Sequence, residues 1–419
     1  MGALPRLNLL RMSQRISFED TAIAFAPKTN RELKDAAFLF GIMGKPWLVQ
    51  LGSRLTPWSI KAGLPVKGLI RNTIFKQFVG GETLEETTTV AQKLAQSGVQ
   101  VILDYGVEGK EGEAAFDNGC EEFIRVINYA ATQPNIPYIS IKVTGFARFA
   151  LLQKLDETMH HAGEKALVPR YHHALTALTE AEKAEWQRVV ARMQKICATA
   201  AAKGVGVLVD AEETWIQDPV DALTMASMDE WNKQKPVVYN TVQLYRHDRL
   251  DFLRQCVQAA DGRQFILGVK IVRGAYMEKE RGRALEKGYQ SPIQPSKEAS
   301  DRDYNDAVRL CLDRLDRIAV IIASHNDQSN LLAVDIMLQK NSPLNHPHVH
   351  FSQLYGMSDN ITFNLAAAGC NVSKYLPFGP IADVIPYLMR RAQENTSVQG
   401  QTGRELSLIK KELARRKLQ

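Results

Sequence analysis

The sequence predicts an α/β fold, a TIM-type (β/α)8 barrel with extra N-terminal and C-terminal helices, and three observations carry that prediction. Short runs rich in β-branched residues recur eight times along the chain. They read as continuous apolar runs rather than strict alternations, the pattern of strands buried on both faces and hence of a parallel sheet. Their starts fall about 24 to 68 residues apart, and each gap is long enough for a right-handed crossover helix.

The runs in order are Val101–Tyr105, Pro137–Val143, Val205–Asp210, Val237–Gln243, Phe265–Val272, Ile318–Ala323, His348–Gln353 and Val372–Tyr375. Ahead of them lies a helical, apolar and basic stretch from Phe38 to Lys76. The long second gap holds a polar insertion, then a helix with a capping box at Thr179 and Glu182. Trp186, Val189, Val190, Met193 and Cys197 supply that helix's buried face. After the eighth run, Asp383 is expected to cap a helix and Pro386 to sit in its first turn, so Arg390 and Arg391 fall well inside it, with Glu394 in reach of both. The domain reading is a helical extension over 1–80, the barrel over 81–400, and a basic amphipathic helix over 401–419.

Composition narrows the function. Lys and Arg total 52 against 46 Asp and Glu, a net +6 spread over 419 residues with a basic cluster only at Lys410 to Lys417. A nucleic-acid surface needs concentrated cations, so that partner is excluded. The five cysteines lie at least 55 residues apart with no C-x-x-C, which reads as free thiols in a reducing compartment. No run approaches the roughly 18 apolar residues of a membrane span. Met1 to Arg11 is a basic leader without the features of a secretory signal, so the default localisation is cytoplasmic.

In such barrels the active site lies at the C-terminal ends of the strands, and nearly every run here ends in a polar group. These are Asp104, Lys142 with Thr144, Asp210 with Glu212 and Glu213, Gln243, Lys270 with Arg273, Ser324 to Asn326, Gln353, and Lys374 with Tyr375. No G-x-G-x-x-G or G-x-x-x-x-G-K loop is present, so a cofactor phosphate has to be held by barrel loops and cations such as Arg273, Lys297 and His325. No metal site is expected. His346, His348 and His350 sit at the start of a strand, opposite the catalytic rim, and His160, His161, His172 and His173 have no companion carboxylates. Arg390 and Arg391 form a fork suited to a carboxylate or phosphate.

Val269–Tyr276, Val209–Glu213, Tyr375–Pro380 and Tyr387–Asn395 resemble the signature segments of the proline dehydrogenase family. Phe78–Glu85, Leu103–Tyr105, Ala323–Asn326 and Ser352–Met357 support the match, which runs from Phe78 to Asn395 in the family's order. The resemblance implies a distorted barrel that binds FAD, oxidises L-proline to Δ1-pyrroline-5-carboxylate (P5C) by hydride transfer from C5 to the flavin N5, and passes electrons to a membrane quinone. It implies that Arg390, Arg391 and Lys142 hold the substrate carboxylate, that Tyr375 and Leu354 pack on the ring, and that Glu394 steadies the guanidiniums. Asp210 and Lys270 take the catalytic positions, Asp210 ordering Lys142 and the substrate amine, Lys270 standing beside N5 where family members often have Arg. The FAD-contacting positions fall on Ala211, Gln243, Lys270, Arg273, Gly274, Ala275, Tyr276, Lys297, Ser300, Ser324, His325 and Gln353. Ser300 replaces a common Thr, and Met277 stands where some members have Trp.

Rival readings are hydroxyproline as substrate, a Schiff-base barrel enzyme using Lys142, and a membrane-surface or scaffold protein. The last draws on the C-terminal helix, where Leu406, Ile409 and Leu413 form an apolar face beside Arg415, Arg416 and Lys417, although that face reads first as a docking helix. A quinone-linked enzyme is itself expected to associate weakly with a membrane surface, at its inner face or on the mitochondrial matrix side. No P5C dehydrogenase segment is seen in the sequence, so a separate P5C dehydrogenase is the expected partner.

Overall fold

Stiff β-branched side chains favour extended backbone, and all eight runs form strands in the computed structural model, which describes residues 16–45, 47, 67–106, 111–164, 166–397 and 401–418. The strands are β1 (Gln100–Tyr105), β2 (Tyr138–Ile141), β3 (Gly206–Val209), β4 (Val238–Gln243), β5 (Leu267–Val272), β6 (Ile318–Ala323), β7 (Val349–Leu354) and β8 (Val372–Phe378). They close into a barrel in sequence order. The paired strands are parallel, as continuous apolar runs predict.

One strand differs from its expected extent. β8 continues past Tyr375 through Pro377 to Phe378, and the Pro377 carbonyl is still used, by the Gly80 amide at 2.8 Å. Lys374 and Tyr375 therefore lie in mid-strand. Lys374 is fully buried, with its ammonium 2.8 Å from Asp359, so it is a structural ion-pair member and not a rim group.

The chain forms two compact units. The first comprises residues 1–107, 324–346 and 350–419. It contains helix α1 (Asn30–Met43), started by a capping box between Thr29 and Glu32. The second, residues 108–323 and 347–349, contains α2 (Phe149–His160), α3 (Glu180–Lys203), α4 (Gln217–Trp231) and α5 (Lys297–Asp313). α3 starts at the predicted Thr179–Glu182 capping box and ends on Gly204 in the left-handed conformation. Trp186, Val189, Met193 and Cys197 are buried as its spacing requires.

The first unit continues with α6 (Asp359–Ala367), α7 (Ile381–Ser397) and α8 (Gln401–Arg415). Its apolar cluster joins Leu33 and Phe40 of α1 to Ile385 and Leu388 of α7 and to Leu408 and Ile409 of α8. Phe40 meets Phe78 edge to face at 6.2 Å. Each such side chain, fully buried, contributes roughly 1.5–3 kcal/mol. The C-terminal helix thus spends its apolar face inside the protein, as a docking helix does. Among the described residues no helix is long and apolar enough to cross a membrane. The leader Met1 to Arg11 lies outside the described residues.

The start of α7 also differs from expectation. It begins at Ile381, whose amide is met at 3.3 Å by the Glu82 carboxylate. Asp383 lies within the first turn, its own amide bonded to the Pro380 carbonyl, and Pro386 lies in the helix interior. A distant carboxylate takes the capping role that local spacing assigned to Asp383.

Candidate active site

In the second unit, three charged side chains converge: Lys142 and Asp210 directly after β2 and β3, and Lys270 in the second half of β5. Lys270 donates a short hydrogen bond to Asp210, Lys142 Nζ stands 3.7 Å from the other Asp210 oxygen, and Ser140 Oγ donates to Asp210 at 2.6 Å. All three charged side chains are nearly buried, 7 to 12 % exposed. Burial alone would raise the Asp210 pKa; Lys270 and Lys142 outweigh it and hold the carboxyl down at about 2. Asp210 is thus an anion at neutral pH, suited to ordering two ammoniums rather than to taking up a proton.

Beside it, Glu212 accepts from Thr144 Oγ1 at 2.8 Å and its amide donates to Gln217. Gln243 donates to the Glu212 carbonyl at 3.0 Å, while the buried Gln243 Oε1 has no hydrogen-bond partner. A buried orphan acceptor carries a desolvation cost unless a ligand donor meets it.

After β5, Arg273 donates to Asp301 at 2.7 Å and lies over the Tyr304 ring at 4.3 Å. Lys297 reaches the other Asp301 oxygen at 2.5 Å. Burial pushes the Asp301 pKa up, but the Lys297 hydrogen bond and Arg273 bring it below the usual range. Ser300 is buried on α5, three residues after Lys297 and next to Asp301. Gly274 has φ +148°, and a Cβ there would fall 2.4 Å from the Tyr245 ring. A glycine is required, and it leaves the backbone bare beside two cations, a suitable cradle for a phosphate group.

In the first unit, Gln353 donates to the Ser324 carbonyl at 3.1 Å and accepts from Thr362 at 2.8 Å. His325 Nδ1 lies 2.8 Å from Ser358 Oγ. Leu354 and Tyr375 are register partners on β7 and β8, both half-buried. Arg390 and Arg391 lie on α7; Arg391 is buried, with its guanidinium 5.0 Å from the Tyr387 ring centre. The side chain of Glu394 lies outside the described residues. Ala275 and Tyr276 follow Gly274 in the turn after β5, and Ala211 precedes Glu212 after β3.

Two histidine expectations are revised or filled in. His160 does have carboxylate companions: Asp156 at 3.2 Å, one helical turn away, and Asp218 of α4 at 3.9 Å. Arg170 reaches Asp218 at 2.7 Å. The Asp156 hydrogen bond, opposed by burial, raises the His160 pKa to about 9. The cluster is a charge-balanced network in which a proton and a guanidinium occupy the carboxylates. His350 is buried and hydrogen-bonded to Ser373, with its pKa lowered by burial to about 3, and His348 Nδ1 lies 2.7 Å from the Leu315 carbonyl.

Sequence reasoning passed over Ser140, although it shares a strand face with Lys142 two residues on. Ser358 and Glu405 carry no local signal at all.

The family model described as proline dehydrogenase matches residues 87–404. The chain is 36 % identical to a carbapenem antibiotics biosynthesis protein, CarD, of Pectobacterium carotovorum subsp. carotovorum, over 88 % of this chain and 91 % of that protein. It is 32 % identical to a hydroxyproline dehydrogenase of Xenopus laevis, over 96 % of this chain and 90 % of that one. Among solved structures it is similar to proline utilization A (PutA) of Bdellovibrio bacteriovorus, inactivated by N-propargylglycine. The TM-score is 0.69 at 18 % identity, over 95 % of this chain and 42 % of that longer one.

Proposed function

The chain belongs to the proline dehydrogenase family, and from that premise we propose that it is an FAD-dependent enzyme that oxidises L-proline to Δ1-pyrroline-5-carboxylate and passes the electrons to a membrane quinone. The observation that carries the reading is the buried Lys142–Asp210–Lys270 cluster on β5 and just after β2 and β3. It offers fixed positive charge where a zwitterionic substrate and a reducible ring require it.

FAD, when bound, supplies the oxidation by accepting the C5 hydrogen of proline at its N5. Arg273 and Lys297, already steadied by Asp301, are the cations assigned to its phosphates, with Gly274, Ala275, Tyr276 and Ser300 alongside. The orphan Gln243 Oε1 is assigned to a donor of the flavin ring. Ser324, His325, Gln353 and Ala211 complete the cofactor set. Arg390 and Arg391 bind the substrate carboxylate with Lys142, and Leu354 and Tyr375 pack on its ring. Lys270 holds positive charge beside the flavin, and Asp210 keeps both lysines oriented. Glu394 is the proposed support of the arginine pair. The reaction then rests on positioning and electrostatics.

The Lys142 environment argues against a Schiff-base enzyme, because Lys142 is ion-paired with Asp210 at 3.7 Å, an arrangement that orders it for an anion. Hydroxyproline is the second substrate reading, favoured by the similarity to a hydroxyproline dehydrogenase; Tyr375, whose ring crowds a 4-hydroxyl, favours L-proline. Membrane contact at an inner membrane face and hand-over of product to a P5C dehydrogenase belong to the same proposal. An anaerobic visible spectrum recorded before and after each substrate tests it. A flavin band bleached by L-proline but not hydroxyproline is expected. Bleaching by hydroxyproline alone reverses the substrate assignment, and a protein that cannot be loaded with FAD overturns the reading.

A further inference from the structure

Ser358 immediately precedes α6, the place where a serine ordinarily turns its hydroxyl onto its own helix. It does not do so here: no side-chain cap bond forms, and its backbone is left-handed, φ 51° and ψ 44°. That conformation is uncommon outside glycine, asparagine and aspartate, and it persists only where the surroundings impose it.

Two contacts account for it. The Ser358 amide donates to the carboxylate of Glu405, and the Ser358 hydroxyl is 2.8 Å from His325 Nδ1. The neighbouring Asp359 is fixed by Lys374 at 2.8 Å and Lys28 at 3.2 Å. Glu405 is buried on the inward face of α8, in line with Leu408 and Ile409, where an apolar residue is the ordinary choice. It stands one residue beyond the segment that the family model matches. A carboxyl group on a core-facing stripe is costly to bury without a partner and calls for a specific role.

We propose that Glu405 is a positioning residue: by holding the Ser358 amide it keeps the Ser358 hydroxyl on His325 Nδ1, so that the C-terminal helix sets the tautomer and orientation of an imidazole in the FAD site. The inference rests on the reading of His325 as a cofactor contact. With Nδ1 engaged by Ser358, the ring orientation and the proton's place on the imidazole are held together.

The test compares the full-length protein with Glu405→Ala, Glu405→Gln and Ser358→Ala. Glutamine keeps a carbonyl acceptor for the amide; alanine does not. The first readout needs no cofactor: long-range proton–nitrogen spectra of 15N-histidine-labelled apoprotein, with the His325 signals identified by their loss in His325→Gln. The second is the FAD dissociation constant, followed by flavin fluorescence. The wild type and Glu405→Gln are expected to show one His325 tautomer and affinities within about twofold of each other. Glu405→Ala and Ser358→Ala are expected to show averaged tautomers and affinity weaker by about tenfold, the effect of one lost hydrogen bond. Unchanged tautomer and affinity in Glu405→Ala overturn the proposal, and if that variant fails to fold, Ser358→Ala decides on the same terms. A wild type that binds no FAD overturns the cofactor reading instead, while the tautomer spectra still decide whether Glu405 governs His325.

Discussion

Replacing Asp210 by asparagine keeps the shape of the Lys142–Asp210–Lys270 cluster and removes its negative charge. The structure bounds the cost in two ways. Asp210 is lowered from 3.8 to about 2 in the folded protein, which at about 1.4 kcal/mol per pH unit corresponds to roughly 2.5 kcal/mol of stability at neutral pH. Removing one member of a buried ion pair costs about 3–5 kcal/mol by the desolvation left behind. Asp210→Asn is therefore expected to destabilise by about 2–4 kcal/mol at pH 7, read from urea unfolding midpoints and slopes. The pH dependence is specific. A depressed carboxylate contributes fully above its ordinary value and loses its contribution as pH falls through about 2, so the difference is flat from about pH 5 to 8. A loss below about 1 kcal/mol, or one that varies between about pH 5 and 8, refutes the view that this carboxylate is held by two ammoniums.

Three further outcomes are open to measurement. Arg390→Ala and Arg391→Ala should each raise KM for L-proline about 10- to 100-fold, the value of one charge-assisted contact, with flavin content retained; an unchanged KM removes the carboxylate clamp. His160→Gln should cost about 1 kcal/mol at pH 6, screened because the ring is 58 % exposed. A raised histidine pKa contributes fully below about 6.5 and is lost as pH rises through about 9, so wild type and variant should melt together at pH 10. Gly356 has φ +79°, and a Cβ there would lie 2.0 Å from the Gln77 carbonyl, so Gly356→Ala should lose about 2–3 kcal/mol. A thermal midpoint equal to that of the wild type contradicts the close approach.

What was legible follows from how far each signal travels along the chain. The strands were readable because burial on both faces writes itself into consecutive residues, and Val238–Gln243 is buried throughout. Rim groups such as Lys142, Asp210 and Lys270 were readable because a polar residue ending an apolar run has few structural uses. The misreadings are long-range. Glu82 meets the first amide of α7 from 299 residues away, and Asp218 joins His160 from another helix. Neither partner leaves any trace in local spacing. Lys374 looked like a rim group because β8 was ended too soon: the proline that ordinarily terminates a strand is here inside one.

The C-terminal helix is the most instructive case, because its own period held the answer. Leu406, Ile409 and Leu413 beside Arg415 to Lys417 resemble an interfacial helix, yet the buried residues are Glu405, Leu408, Ile409 and Glu412. These recur at i, i+3, i+4 and i+7, one face of a helix. A membrane-binding stripe excludes carboxylates, since lipid offers them no donor. A protein partner can supply donors, and here it does: Glu405 receives the Ser358 amide, and Glu412 receives Thr21 besides Arg415 and Arg416 of its own segment, while Arg416 reaches the Phe25 and Lys28 carbonyls. Two glutamates on an otherwise apolar face therefore identify a helix docked on its own protein, and one of them, Glu405, leads directly to His325.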